Sequence, residues 1–184
     1  MIYLGVFVLM STHTQFQVLA EKLLDQAFKP GSVIVIPVNG YVKNDESAVM
    51  GIGLAQRAKK RFPGIEYAWG RQLLSQGRLK GNMAEVKAGG VGNHVAIIRD
   101  SNPIIVALPT QWHFKHQYRK EPAPADNGLI DRSLAELALL ADHYKWRNVY
   151  LPVLGFEEGV HDWKNNVLPY MADYLDHRFV LCTG

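Results

Sequence analysis

Short apolar runs alternate along this chain with segments in which apolar residues recur at helical spacing. An apolar run bounded by turn residues predicts a buried strand, and apolar residues every three or four positions predict a helix packed on a sheet. Strands are predicted at residues 3–9, 33–36, 84–87, 94–98, 104–108, 148–154 and 178–182, and helices at 16–28, 54–62, 131–144 and 162–174. This alternation is typical of an α/β domain.

The ends of several predicted helices carry start and stop signals. In the stretch AVMGIGLAQRAKKRFPG, residues 48–64, two glycines precede a helix with an apolar stripe and a solvated basic face. Pro63 and Gly64 end that helix. Asp131 is predicted as the N-cap of the next long helix, and the last helix is predicted to begin near Asp162. The polar segment 65–83 shows no decisive period.

Composition limits the class of protein. A chain of 184 residues, 48% apolar and 20% charged, is long enough for one buried core and short for two, so one domain spanning residues 1–184 is expected. The formal charge of +3 is spread over many sites. It permits an anionic ligand and gives no separate argument for nucleic acid.

Two further features concern the cellular setting. Cys182 is the only cysteine of the sequence and lies in the apolar run RFVLC, which predicts a buried, unreactive thiol and no internal disulfide. The first ten residues, MIYLGVFVLM, lack the basic residues and the small-residue cleavage site of a signal peptide, so we interpret them as a strand. We therefore expect a cytoplasmic protein with no membrane partner.

Three loops deserve a functional interpretation, because ligands of open α/β sheets bind where loops leave the carboxyl ends of strands. These loops follow residues 36, 108 and 154. The first contains the glycine turn, where backbone N–H groups at a helix start favour an anion, although a Gly-x-Gly pair alone is a weak signal. The third, GFEEGVHDW, is also bounded by glycines. If the two glycine loops face each other, they form a cleft for phosphates and a sugar.

The motifs VNGYVKNDESAVMGIGLAQRAKKRFPG, LPTQWHFK and LPVLGFEEGVHDW, in this order, resemble the macro-domain family. They are most similar to the branch that contains the DNA ADP-ribosyl glycohydrolase antitoxins and the terminal ADP-ribose protein glycohydrolase. The resemblance covers residues 33–175. It implies a three-layer α/β/α macro domain with a mixed central sheet, which binds ADP-ribose or a related nucleotide-sugar. No cofactor is expected.

The resemblance also implies roles for individual residues. Asn39 matches the asparagine that hydrogen-bonds the distal ribose, although an Asn-Gly turn also explains it. Thr110 and Gln111 match a Thr-Lys pair at a strand end. Two glycine loops match those that hold the phosphates: Gly51, Ile52 and Gly53 in the first, and Gly155, Phe156 and Gly159 in the second. The family's adenine-reading aspartate has no counterpart here.

Two departures from the family pattern bear on mechanism. Gln111 stands where this branch has an essential lysine, and glutamine can neither form a Schiff base nor act as a cation. Glu157 and Glu158 replace glycines of the second loop, where each carboxylate close to a pyrophosphate costs about 1 kcal/mol even at water-like screening. Either they point to solvent, or the ligand is not a plain pyrophosphate, or one of them is a general base on water.

Two classes of function follow from this resemblance. The first is an enzyme that hydrolyses an ADP-ribosyl linkage or ADP-ribose 1''-phosphate, with Glu157 and Glu158 as the candidate catalytic residues. The second is a module without catalysis that reads or sequesters an ADP-ribose derivative. The replacement Gln111 favours the second class, and the glutamate pair favours the first.

Two other interpretations concern residues 111–120, QWHFKHQYRK. His113 and His116, with His161, form only a weak metal-binding pattern, so no metal is expected. The interleaved aromatic and basic residues suit base stacking on a nucleic acid, or a lid over the cleft. A nucleic-acid partner is therefore left open by resemblance only.

Overall fold

The computed structural model describes residues 15–18, 23–24, 30–81, 92–112, 125–152, 154 and 167–183. Over these ranges the chain forms six strands and four helices. The strands are β1 (Gln15–Val18), β2 (Val33–Asn39), β3 (Ala96–Arg99), β4 (Ile104–Gln111), β5 (Val149–Pro152) and β6 (Phe179–Thr183). The helices are α1 (Gly53–Arg61), α2 (Ile65–Ser75), α3 (Asn127–His143) and α4 (Leu168–Tyr174).

The strands form one mixed sheet in the order β1-β6-β5-β2-β4-β3. Neighbouring strands run parallel except β3, which is antiparallel to β4. The central strands β5, β2 and β4 therefore end at the same side of the sheet, called here the carboxyl edge. The opposite side, where these strands begin, is called the amino edge.

Both faces of the sheet are covered by helices. Because side chains of a strand alternate between faces, Val33 and Val35 of β2 pack in one core with α3 and α4. Ile34 and Ile36 pack in a second core with α1 and α2. This arrangement confirms the predicted three-layer α/β/α fold with a mixed central sheet. No helix of the described residues has the length and hydropathy that a membrane crossing requires.

The structure corrects the predicted N-terminal helix at residues 16–28. Gln15–Val18 is a strand that pairs parallel with β6, with Phe16 opposite Leu181. Backbone pairing with a strand from the other end of the chain overrides the helical spacing of the apolar residues. The predicted strands at 3–9 and 84–87 lie outside the described residues.

The long helix α3 begins earlier than predicted. Asp126, not Asp131, is the N-cap of α3, and its Oδ1 accepts a hydrogen bond from the N–H of Leu129 at 2.8 Å. Asp131 lies inside the helix, where its hydrogen bond with Tyr174 of α4 raises the pKa of that phenol. The predicted start of the last helix at Asp162 lies outside the described residues.

Helix α2 was not predicted at all. It buries Ile65, Trp69 and Leu73, which follow one another at intervals of four residues along one helix face. The polar residues between them and Gly70 hid this stripe in the sequence. The helix matters for the site because its buried face supports the loop between β2 and α1.

Candidate ligand-binding site at the carboxyl edge

Asn39, the last residue of β2, forms a hydrogen bond with the far end of the loop that follows it. Its Nδ2 donates to the carbonyl of Val49 at 2.9 Å, and its Oδ1 accepts from the N–H of Tyr41 at 3.1 Å. The backbone carbonyl of Asn39 accepts from Nε1 of Trp69 at 2.9 Å. The turn geometry considered as an alternative for this asparagine is therefore present. Each side-chain amide atom still has capacity for a second hydrogen bond, as a ribose hydroxyl requires.

The loop from residue 40 to residue 52 is packed closely on α2. Gly70 of α2 has no room for a side chain, since a Cβ there would lie 1.8 Å from the carbonyl oxygen of Glu46. The N–H of Ala48 donates to the carbonyl of Glu66 at 2.8 Å. Within the loop, the side chain and then the backbone N–H of Ser47 hold the pKa of the Asp45 carboxyl below its usual range. The loop therefore has a defined path that ends at the glycine turn.

The glycine turn leads into the N-terminus of α1. Ile52 is the N-cap in extended conformation, it makes no side-chain capping bond, and its side chain is 53% exposed. Gly53 has φ of +55°, which favours glycine. The first turn of α1 carries no acidic residue, so neither a side-chain cap nor a carboxylate of that turn competes for its N–H groups. An exposed, uncapped helix start of this kind suits an anion.

Gln111, the last residue of β4, pairs with Asn39 in the sheet register. Its backbone carbonyl accepts from the N–H of Gly40 at 3.1 Å and from Nδ2 of Asn93 at 3.2 Å. The side chains of Thr110 and Gln111 are buried. The structure thus brings together four of the predicted elements of the site: Asn39, the turn Gly51–Gly53, Thr110 and Gln111.

Gly155, Phe156, Glu157, Glu158 and Gly159 lie outside the described residues, as do His113, His116 and His161. Strand β5, which precedes these residues in the sequence, is the parallel neighbour of β2 and ends at the carboxyl edge. Within the described ranges, no group of His, Cys, Asp and Glu side chains is placed to hold a metal ion.

The sequence does not indicate that Arg78, Arg132 and Asn93 lie beside Gln111. Trp112 follows it directly, and the guanidinium carbons of Arg78 and Arg132 lie 5.2 and 5.4 Å from its ring centroid. Asn93 lies on the other side of the Gln111 carbonyl. The pair Gly92-Asn93 before a strand was the one local signal, since both residue types tolerate a left-handed backbone. No local pattern connects Arg78 and Arg132 to this edge.

A separate cavity of about 530 Å³ lies at the amino edge. Arg61 and Arg99 lie over the ring of Phe62 in its wall. Arg99 donates through Nη1 to the carbonyls of Ser101 and Pro103. This cavity is remote from the predicted ligand residues and is not part of the candidate site.

Comparison with known proteins supports the fold through structure and not through sequence. No protein-family model matches the sequence, and a search of curated proteins finds no match either. The macrodomain of Thermus aquaticus DarG is 22% identical with a TM-score of 0.63, over 93% of this chain and 97% of that one. The macrodomain of Mycobacterium tuberculosis DarG is 20% identical with a TM-score of 0.60, over 92% and 97%.

A third similar structure carries a ligand. Thermosipho africanus DarTG in complex with ADP-ribose is 19% identical with a TM-score of 0.57, over 83% of this chain and 38% of that one. Identities at this level establish the fold alone. The chain has the macrodomain fold, a three-layer α/β/α sandwich with a mixed central sheet.

Proposed function

We propose that this protein binds ADP-ribose, free or attached to another molecule, at the carboxyl edge of its sheet. The observation that carries the proposal is the meeting of Asn39 and Gln111 on paired strand ends beside the uncapped start of α1. In this proposal the diphosphate lies against the N–H groups that follow Ile52. The distal ribose lies beside the amide of Asn39. The ADP-ribose complex of the similar Thermosipho africanus DarTG supports the choice of ligand.

A calorimetric titration of the protein with ADP-ribose tests the binding directly. Binding should also raise the melting temperature, because a ligand that binds only the folded state stabilises it. Absence of both heat and a melting shift at millimolar ADP-ribose would reject this function.

Gly51 offers a sharper test than Gly53. Gly53 has a left-handed backbone that strains any substituted residue, whereas Gly51 has open space around its Cβ direction and an ordinary φ. Gly51→Glu should weaken ADP-ribose roughly tenfold or more, because it places a carboxylate near the phosphates. Gly51→Gln is the matched control of equal size without the charge and should retain most of the affinity. Equal affinities of the two variants would show that the diphosphate does not lie against this turn.

Hydrolysis of the bound ligand is the more specific activity proposed for this site. Gln111 supplies no cation, so we propose that water is activated by Glu157 or Glu158, and a positioned general base contributes about 10²- to 10⁴-fold to a rate. The substrates to test are ADP-ribosylated protein, ADP-ribosylated DNA and ADP-ribose 1''-phosphate. Glu157→Gln or Glu158→Gln should reduce turnover by that factor. If both variants retain full activity, the carboxylate mechanism is wrong.

The competing function is a reader without catalysis. It predicts ADP-ribose binding with no turnover of any of the three substrates. The buried Gln111 in place of a lysine favours it. A gain of glycohydrolase activity in Gln111→Lys would then identify the missing lysine as the reason for inactivity.

A further inference from the structure

The segment 92–94 is clamped between both helical layers at the carboxyl edge. From α3, Nη2 of Arg132 donates to the carbonyl of Asn93 at 2.8 Å. From the α2 side, Gln76 exchanges two hydrogen bonds with the backbone of His94, at 2.7 and 3.2 Å. Gly92 fits against the carbonyl of Gln76 only without a Cβ. Both layers therefore determine the position of Asn93.

Asn93 directs its side chain into the junction of β2 and β4. Its Nδ2 and the N–H of Gly40 both donate to the carbonyl of Gln111. Its carboxamide fills the space where a Cβ of Gly40 would lie, 2.7 to 2.9 Å from the three carboxamide heavy atoms. One residue thus determines the relative positions of the chain after Asn39 and the end of β4.

The type of residue at position 93 is restricted by three requirements together. The backbone is left-handed, with φ of +65°, and asparagine tolerates this better than most residues. The side chain is fully buried and must donate to Gln111. Among the described residues its Oδ1 has no hydrogen-bond partner, which is unfavourable for a buried polar atom. The left-handed backbone, the burial and the donated hydrogen bond together leave few residue types other than asparagine for position 93.

We propose that Asn93 is a positioning residue for ligand recognition. It holds the carbonyl of Gln111 and the backbone of Gly40 in register, and thereby sets where Asn39 and Gln111 meet the distal ribose. The proposal rests on the function proposed above, because it assigns the ribose to these strand ends. It predicts that loss of the Asn93 amide affects recognition of the ribose and not of the adenosine diphosphate.

Two variants separate backbone from side chain. Asn93→Gly preserves the left-handed backbone and removes the amide, and Asn93→Asp preserves the shape and replaces the donor by a carboxylate oxygen. Lys145→Gly is the matched control, because Lys145 is also left-handed, with φ of +55°, and follows α3 at the amino edge.

The first measurement needs no ligand. Hydrogen exchange of the Gly40 amide should accelerate about tenfold or more in Asn93→Gly, because its acceptor carbonyl is no longer held. Exchange of the Val33 amide, which donates to Asn148 at the amino edge, should not change. Unchanged exchange at Gly40 would overturn the positioning role, whether or not the protein binds ADP-ribose.

The second measurement compares two ligands. In Asn93→Gly and Asn93→Asp the affinity for ADP-ribose should fall about tenfold, as expected when hydrogen bonds to the ribose are misaligned, and the affinity for ADP should not change. Lys145→Gly should bind both ligands as the wild type does. Equal losses for ADP-ribose and ADP would show a general effect of the substitution and reject the ribose assignment. Failure of wild type to bind ADP-ribose at all would instead reject the proposed function, and the exchange experiment would still decide the role of Asn93.

Discussion

The two edges of the sheet use polar side chains in different ways. At the carboxyl edge, the buried side-chain amides of Asn39 and Asn93 donate to the backbone carbonyls of Val49 and Gln111. At the amino edge, Arg178 pairs with the more exposed carboxylates of Asp142 and Asp176, with closest N–O distances of 2.7 Å. Amide-to-backbone bonds fix atoms in direction and distance, whereas exposed ion pairs contribute modest stability.

This difference indicates which edge of the sheet is suited to ligand recognition. The carboxyl edge has features that are costly for a protein, namely a buried oxygen with no hydrogen-bond partner among the described residues, a left-handed asparagine and a helix start without a side-chain cap. At the amino edge, the ion pairs of Arg178 link the start of β6 to α3. Substitutions at the first edge should change ligand binding, and those at the second should change stability alone.

The largest effect is expected from Gly70→Ala under the loop of the carboxyl edge. A methyl group 1.8 Å from the Glu46 oxygen must push the loop away from α2. We expect a loss of about 3 kcal/mol or more in the free energy of unfolding, measured by urea denaturation, together with weaker ADP-ribose binding.

Gly128→Ala is the control for this substitution. Gly128 lies in the first turn of α3, and a Cβ there makes only ordinary contact, 3.4 Å from Asp126. Alanine should stabilise the helix by up to about 1 kcal/mol. A Gly70→Ala variant as stable as Gly128→Ala would contradict the close packing of the loop.

Replacement of one arginine at each edge allows a direct comparison of the two edges. Arg132 holds the Asn93 carbonyl at the carboxyl edge, and Arg178 holds two aspartates at the amino edge. Replacement of either by methionine should cost about 2 kcal/mol of stability, the scale of hydrogen bonds from a charged group. Only Arg132→Met should also weaken ADP-ribose, by calorimetry. Equal affinities of the two variants would show that the carboxyl edge contributes no more to ligand binding than the amino edge does.

The pH dependence of stability should measure the contribution of the Asp176–Arg178 ion pair at the amino edge. The side chain of Arg178 holds the pKa of the Asp176 carboxyl below its usual value. A lowered folded-state pKa means that the stabilisation is complete above the unfolded value of about 3.9 and is lost as the pH falls through the folded-state pKa. We expect a contribution of about 1 kcal/mol, since the pair is partly exposed.

Asp176→Asn provides the measurement of that contribution. The difference in unfolding free energy between wild type and this variant should be present at pH 7 and should shrink as the pH is lowered below 4. A difference that is constant with pH would mean that the carboxylate charge of Asp176 does not stabilise the fold.

The parts of this structure that follow from local sequence were predicted, and those that depend on distant partners were not. Strands β2 and β4 are buried on both faces, so they read as continuous apolar runs. The glycine turn was also visible, because its chemistry lies within four consecutive residues, 50–53.

Elements that depend on distant contacts were missed for a physical reason. β1 is a strand because β6 pairs with it, and nothing near Phe16 indicates that pairing. Asn93 and Arg132 belong to the edge through bonds to residues on other elements, so their roles appear only in the folded chain. The glutamate pair at 157–158 stays a prediction, as does the activity that depends on it.

The smallest effect of ADP-ribose is expected on the labelling of Cys182, which pairs in register with Pro152 at the end of β5. Burial raises the pKa of this thiol to about 11, so about one molecule in a thousand carries the reactive thiolate at pH 8. A thiol reagent should therefore label the native protein roughly a hundredfold more slowly than the protein unfolded in urea, where the ordinary pKa of about 8.5 returns. Saturating ADP-ribose should leave the native rate unchanged, because the buried thiol faces the core and not the cleft. Rapid native labelling would show that the strand ends beside the second loop open in solution, and protection by ADP-ribose would place the ligand closer to β6 than the site proposed at β2 and β4.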